Sequence, residues 1–218
     1  MTIDYVIRRI HEIGIIPVVR AANLDEARRA VDAICSGGIA VIEITMTVPN
    51  ASAMIQELVH QYGDSVLTGA GTVTTAKQAE ICLDSGAQFL VSPGLSVPVL
   101  QTAAKRDILA MPGILTPTEL MAAIGAGARV IKVFPCGSAG GPKHIKALKA
   151  PFPDSQLVPT GGVNLSNAID YIAAGSFALG VGADLVDLAA IRRNDSVKVV
   201  AMARALIDAV RQARAAKF

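Results

Sequence analysis

Two charged residues stand inside otherwise apolar runs. Lys132 lies in Val130-Ile131-Lys132-Val133-Phe134, and it is the one lysine of eight that falls within an expected strand. A lysine held among apolar groups loses hydration. That favours the neutral, nucleophilic amine that attacks a carbonyl to form a Schiff base. Glu43 lies in Val41-Ile42-Glu43-Ile44-Thr45, the one glutamate of six in an expected strand. Burial favours the protonated carboxyl and so a group that gives and takes a proton near neutral pH. Each has a plainer alternative: Lys132 snorkels to solvent, and Glu43 sits in a structural ion pair with a buried Arg or with Lys132 itself. Two opposite charges, each in the middle of a strand, point together to a lysine nucleophile with a proton shuttle.

Other polar groups fall at the ends of apolar runs. Arg20 follows Pro17-Val18-Val19, where a guanidinium suits bidentate binding of a carboxylate or pairs with a helix carboxylate. Gly161-Gly162 precedes a helix whose expected cap is Asn164, and Gly182-Ala183 follows the last apolar run. Bare backbone N–H groups and helix N-termini bind anions in this way, although glycines also serve tight turns. Thr45, Thr72, Pro93, Phe134 and Thr160 sit at further run ends. Thr72 and Thr160 could hydrogen-bond a substrate, and Pro93 and Phe134 could form apolar walls. Cys136 is expected to be accessible to alkylation, and His144 to be a surface helix residue.

Eight short apolar runs must place these residues: 15–20, 40–45, 66–71, 88–93, 108–113, 129–134, 156–161 and 177–182. Each reads as a strand covered on both faces, as in a parallel sheet. Between them lie amphipathic helical patterns. Asn23 with Glu26, Thr75 with Gln78 and Thr116 with Glu119 read as capping boxes, and Pro117 as a first helical position. Glycines at 37–38, 63, 86, 127 and 175 read as left-handed helix ends. A long helix is expected over about 196–215. Eight strand–helix units in residues 1–218 predict one (β/α)8 TIM barrel, with a short amphipathic N-terminal helix in MTIDYVIRRIHEIG. An open doubly wound sheet is the rival; GAGTVTT lacks the third glycine of a dinucleotide loop. In a barrel the chemistry sits at the C-terminal strand ends, where the candidates fall.

Composition narrows the function. The net charge is +2 and aromatics are 4% of the chain without a tryptophan, which argues against a nucleic-acid partner. Hydrophobic residues reach 52%, yet no apolar run approaches the roughly 18 residues of a membrane span. Cys35, Cys82 and Cys136 form no CxxC and read as reduced thiols of a cytoplasmic protein. Three scattered histidines supply no metal cluster. High hydropathy with few charges fits a subunit that buries surface in an oligomer.

The motifs PVVR, VIEITMT, GAGTV, SPG, PGILTPTE, IKVFP and PTGGV, in this order, resemble the family of 2-keto-3-deoxy-6-phosphogluconate (KDPG) and 4-hydroxy-2-oxoglutarate (KHG) aldolases. The resemblance covers residues 4 to about 190. It implies a homotrimeric class I aldolase without cofactor or metal, acting on a small 2-keto acid, either phosphorylated or dicarboxylic. It implies Lys132 as the Schiff-base residue and Glu43 as general acid/base. Arg20 and Thr72 would hold the pyruvate carboxylate, with Pro93, Phe134 and Thr160 lining the pocket. Gly161, Gly162 and Gly182 would bind phosphate. Ala183 stands where the family commonly has Ser, which removes a hydroxyl donor; one hydrogen bond to a charged group is worth about 1.5–3 kcal/mol. GSAGGPKHIKALKA resembles the 6-phosphogalactonate branch, whereas Thr160 resembles the gluconate branch. A non-catalytic scaffold or phosphate-binding protein of the same fold is the other reading.

Overall fold

The computed structural model describes residues 1–216; the last two positions of the expected 1–218 domain lie outside the described residues. The chain opens with α1 (Ile3–Ile13), which Thr2 caps and Gly14 ends in the left-handed conformation. Strands and helices then alternate: β1 (Ile15–Val19), α2 (Leu24–Ser36), β2 (Val41–Thr45), α3 (Ala51–Tyr62), β3 (Leu67–Gly71), α4 (Ala76–Asp84), β4 (Phe89–Val91) and α5 (Val97–Ala104). There follow β5 (Leu109–Met111), β6 (Gly113–Ile114), α6 (Pro117–Gly125), β7 (Val130–Val133), α7 (Pro142–Lys149), β8 (Gln156–Pro159), α8 (Ala168–Ala173) and β9 (Leu179–Val181). The chain ends on α9 (Leu188–Arg192) and α10 (Ser196–Ala215), the latter packed on α2 and α8.

Every strand pair is parallel. One sheet runs β5-β4-β3-β2-β1-β9 and the other β6-β7-β8. Two links join them into a ring. A bridge from Thr160 to Gly180 connects β8 to β9. On the other side β5 and β6 are one strand interrupted at Pro112, whose carbonyl still accepts from Lys132 N at 2.9 Å. The sequence leads one to expect a continuous run over 108–113. Proline has no N–H for the ladder, so the run divides there. The result is the (β/α)8 barrel.

The capping boxes at Thr75–Gln78 and Thr116–Glu119 are both formed. Asn23 caps α2 through Glu26 N, but the Glu26 carboxylate takes the Ala22 N–H instead of closing a box. Gly38, not Gly37, is the left-handed residue after α2. Asn164 does not cap a helix: its side chain takes Ser166 N, and α8 starts only after Asn167.

Two apolar clusters divide the work. The larger lies between the outer strand faces and the helices. The smaller fills the barrel at its N-terminal end, where Val6, Ile7 and Ile10 of α1 meet Ile16, Val41, Leu67, Phe89, Leu109 and Val130. The helix therefore stoppers the end opposite the expected chemistry. Ile10→Ala, at a fully buried position, is expected to cost about 2–5 kcal/mol in urea unfolding. A cost below about 1 kcal/mol would mean that α1 is not seated in the barrel.

Candidate active site

Side chains alternate inward and outward along a barrel strand. Glu43 and Lys132 both point inward, one layer above the apolar stopper. Their neighbours in register are Val18 and Gly69 for Glu43, and Gly113 and Val158 for Lys132. Their charged ends approach across the barrel, Lys132 Nζ to Glu43 Oε1 at 3.8 Å, with both side chains about 95% buried. Among the described residues Glu43 Oε1 has no hydrogen-bond partner. The ammonium is what offsets its charge. Lys132 Nζ also lies 5.3 Å from the centre of the Phe134 ring.

Glycines open the space this pair needs. A Cβ on Gly71 would overlap the Glu43 carboxylate, and one on Gly69 would overlap the Phe89 ring. A Cβ on Gly113 would strike the Pro93 carbonyl, so Pro93 packs directly beside the strand next to Lys132. These glycines are needed for close approach, since their φ angles are ordinary. Thr72 is different: it holds φ +58 at the tip of β3, an uncommon conformation for a β-branched residue and one that recurs at functional sites.

Above the pair a cleft of about 210 Å3 opens at the C-terminal end of the barrel. Arg20, Phe134, Thr160, Gly161, Gly162, Gly182 and Ala183 all line it, seven of the residues expected from the sequence. Gly161 and Gly162 take φ +85 and +78, and among the described residues their N–H groups meet no acceptor. The cleft is also lined by Val18 and Val163, which fall within the PVVR and PTGGV motifs but were not expected as site residues, and by Asp184, which no motif or periodicity marks. Helix N-termini do not reach the loops: α8 begins at Ala168, and α9 at Leu188 has only five residues.

Thr45, Thr72 and Pro93 lie outside this cleft on the β2, β3 and β4 tips. Thr45 is fully buried; its hydroxyl donates to the Val19 carbonyl at 3.1 Å and lies 2.6 Å from the Thr47 hydroxyl. Cys136, expected to be accessible, is fully buried, and burial pushes its thiol up to about 11. The backbone after β7 folds back onto the end of β8, so that Cys136 N donates to Thr160 O. His144, expected at the surface, is half-buried, with Nε2 2.8 Å from the Leu115 carbonyl. A larger hollow of about 290 Å3 lies between α2, α9 and α10. Its polar groups are already engaged: Arg29 with Asp25, Asn194 and the Ile191 carbonyl, and Asp32 with Tyr62. Among the described residues no group of three His, Cys, Asp or Glu side chains could hold a metal ion, and no helix is long and apolar enough to cross a membrane.

A buried lysine–carboxylate pair beneath an open cleft in a barrel is the arrangement that the motif resemblance called for. A family model for KDPG and KHG aldolase matches residues 6–202. The chain belongs to that aldolase family. It is 36% identical over 190 residues to the 2-dehydro-3-deoxy-phosphogluconate aldolase of Dickeya dadantii, covering 87% of this chain and 89% of that one. It is also 36% identical to the 2-dehydro-3-deoxy-6-phosphogalactonate aldolase of Escherichia coli, covering 93% and 97%. Among solved structures, a KDPG aldolase from Legionella pneumophila, with pyruvate captured as a covalent carbinolamine, superposes with a TM-score of 0.85. It shares 31% identity, over 92% of this chain and 97% of that one. The aldolase assignment thus rests on fold, motifs and relatives together.

Proposed function

We propose that this aldolase cleaves 2-keto-3-deoxy-6-phosphogluconate to pyruvate and glyceraldehyde 3-phosphate, or 4-hydroxy-2-oxoglutarate to pyruvate and glyoxylate, through a Schiff base on Lys132. The observation that carries this reading is the buried Lys132–Glu43 pair at 3.8 Å. Lys132 passes its proton to Glu43, and the neutral amine attacks the C2 ketone. Glu43, at the unpartnered oxygen beside it, moves protons as the carbinolamine loses water to give the iminium. Glu43 takes the proton of the C4 hydroxyl as the C3–C4 electron pair flows into the iminium. The aldehyde departs and an enamine stays on Lys132. Protonation at C3 and hydrolysis then release pyruvate and restore the amine.

Arg20 and Thr72 are assigned to the pyruvate carboxylate, and Phe134, Pro93 and Thr160 to the walls. The free N–H groups of Gly161 and Gly162, with those of Gly182 and Ala183, are assigned to the far end of the substrate. The same reading makes the protein a homotrimer. Exposed Val97, Met121 and Ile124 on α5 and α6 are apolar surface that such an assembly would cover.

The test is trapping. Protein treated with pyruvate and sodium borohydride should gain one reduced adduct, located on Lys132 by peptide mass spectrometry, and Lys132→Ala should gain none. An adduct spread over surface lysines, or no adduct at all, would remove the lysine mechanism.

A further inference from the structure

Among the described residues three charged side chains are buried: Lys132, Glu43 and Glu26. The first two face each other inside the barrel. Glu26 stands outside it, in the first turn of α2. Burying a carboxylate is costly unless partners offset it. Its two oxygens are divided between two partners. Oε2 accepts the Ala22 N–H at 2.8 Å. Oε1 lies 2.6 Å from Nε of Arg192 on α9, a close approach of opposite charges without the alignment of a hydrogen bond.

Each partner is tied to a loop of the cleft. Ala22 lies two residues after Arg20, in the connection from β1 to α2. Arg192 lies on the helix that follows Gly182 and Ala183, and the Leu185 and Val186 N–H groups both return to the Gly182 carbonyl, at 3.0 and 2.9 Å. β1 and β9 are neighbours in the sheet, and both loops line the cleft. Glu26 thus bridges the Arg20 connection and the helix that closes the Gly182 loop. Arg29 gives α2 and α9 a second link, donating to the Ile191 carbonyl at 2.9 Å. The Arg20 side chain has no holder of its own. It lines the cleft exposed, with no ion pair or side-chain hydrogen bond among the described residues. The place of its guanidinium therefore depends on where its backbone is fixed, and Glu26 fixes that backbone at Ala22.

We propose that Glu26, held by Arg192, is a positioning residue for the carboxylate end of the substrate: it fixes the loop that presents Arg20. This rests on the aldolase reading above and on its assignment of Arg20 to the pyruvate carboxylate. That carboxylate is not altered by the reaction. Loss of its positioning weakens ground-state and transition-state binding alike, which raises the half-saturating concentration and leaves the maximal rate in place. A carboxylate that only capped α2 would lower stability without moving pyruvate binding.

The experiment follows exchange of the pyruvate methyl protons in heavy water by NMR, a reaction that needs no aldehyde. Rates over a range of pyruvate concentrations give the half-saturating concentration and the maximal rate, and the borohydride adduct is scored on the same proteins. Glu26→Ala should raise half-saturation by at least about fivefold, with the maximal rate within about twofold of the parent. Arg20→Ala should raise it by at least about tenfold. Adding Glu26→Ala to Arg20→Ala should change it by less than about twofold, because the one acts through the other. The full effect of Glu26→Ala appearing again in the Arg20→Ala background overturns the inference alone. So does an unchanged half-saturation in Glu26→Ala, or a loss confined to its maximal rate, beside a raised half-saturation in Arg20→Ala. An unchanged half-saturation in Arg20→Ala removes that residue's assignment and the inference with it. Absence of both exchange and adduct in the parent removes the aldolase reading beneath them. Should Glu26→Ala fail to fold, Arg192→Met decides, at a side chain that is 58% exposed. A rise of at least about threefold, reversed in Arg192→Lys, supports the inference; no rise, or one that Arg192→Lys leaves in place, overturns it.

Discussion

Lys132→Met is expected to lower aldol cleavage by more than about 10^4-fold while leaving the barrel folded. Methionine keeps the length and apolar character of the lysine stem, so the packing against Phe134 survives. What is lost is the amine nitrogen that faces Glu43 at 3.8 Å. The same change leaves Glu43 buried without the cation that faces it at 3.8 Å. Removing one member of a buried pair costs about 3–5 kcal/mol, and Glu43 Oε1 has no other partner to soften it. The double variant Lys132→Met/Glu43→Gln removes both charges and should recover stability to within about 1 kcal/mol of the parent, or exceed it, without recovering activity. Urea midpoints and initial rates on the three proteins check both halves. A single variant as stable as the parent would show that the two groups are not a charged pair.

That expectation explains why the pair was legible from the sequence. A charge in the middle of an apolar strand has no favourable reason to be there unless another group offsets it. Alternation along β2 and β7 turns both residues into the barrel together. The eight-fold rhythm was legible for a similar reason: parallel strands buried on both faces read as apolar runs, and Thr75, Thr116 and the left-handed glycines mark the helix boundaries. What escaped was set by contacts distant in the chain. Pro112, with no N–H for the ladder, divides its strand where the pairing passes from β4 to β7. Asn164 looks like a cap, but its side chain closes a turn before α8 can start. Cys136 follows an exposed proline, yet the turn after β7 buries it under Thr160. Gly71 and Gly180 read as ordinary glycines within strands; their meaning lies in the side chains of Glu43 and Thr160 across the sheet. No periodicity in one chain reports such a pairing.

Gly71 leads to the second large effect. Glu43→Gln keeps the shape and burial of the side chain but cannot shuttle a proton. It is expected to slow cleavage by about 10^2–10^4-fold. Because a positioned lysine still stands beside the carbonyl, the borohydride adduct with pyruvate should still form, more slowly. The step that separates these roles is proton movement at C3. In heavy water the parent should exchange the methyl protons of pyruvate through the enamine, an event followed by NMR, and Glu43→Gln should lose that exchange by the same factor as it loses cleavage. Gly71→Ala tests the geometry without touching either charge. Its Cβ would occupy the place of the Glu43 carboxylate, so the carboxylate must turn away from Lys132 or β3 must shift. Gly71→Ala should therefore copy Glu43→Gln: adduct retained, exchange and cleavage both reduced by at least about tenfold. Exchange at the parental rate in Glu43→Gln would take the proton shuttle away from Glu43. Parental exchange in Gly71→Ala would mean that the carboxylate can work from more than one position, and that the close fit of β3 against β2 serves packing alone.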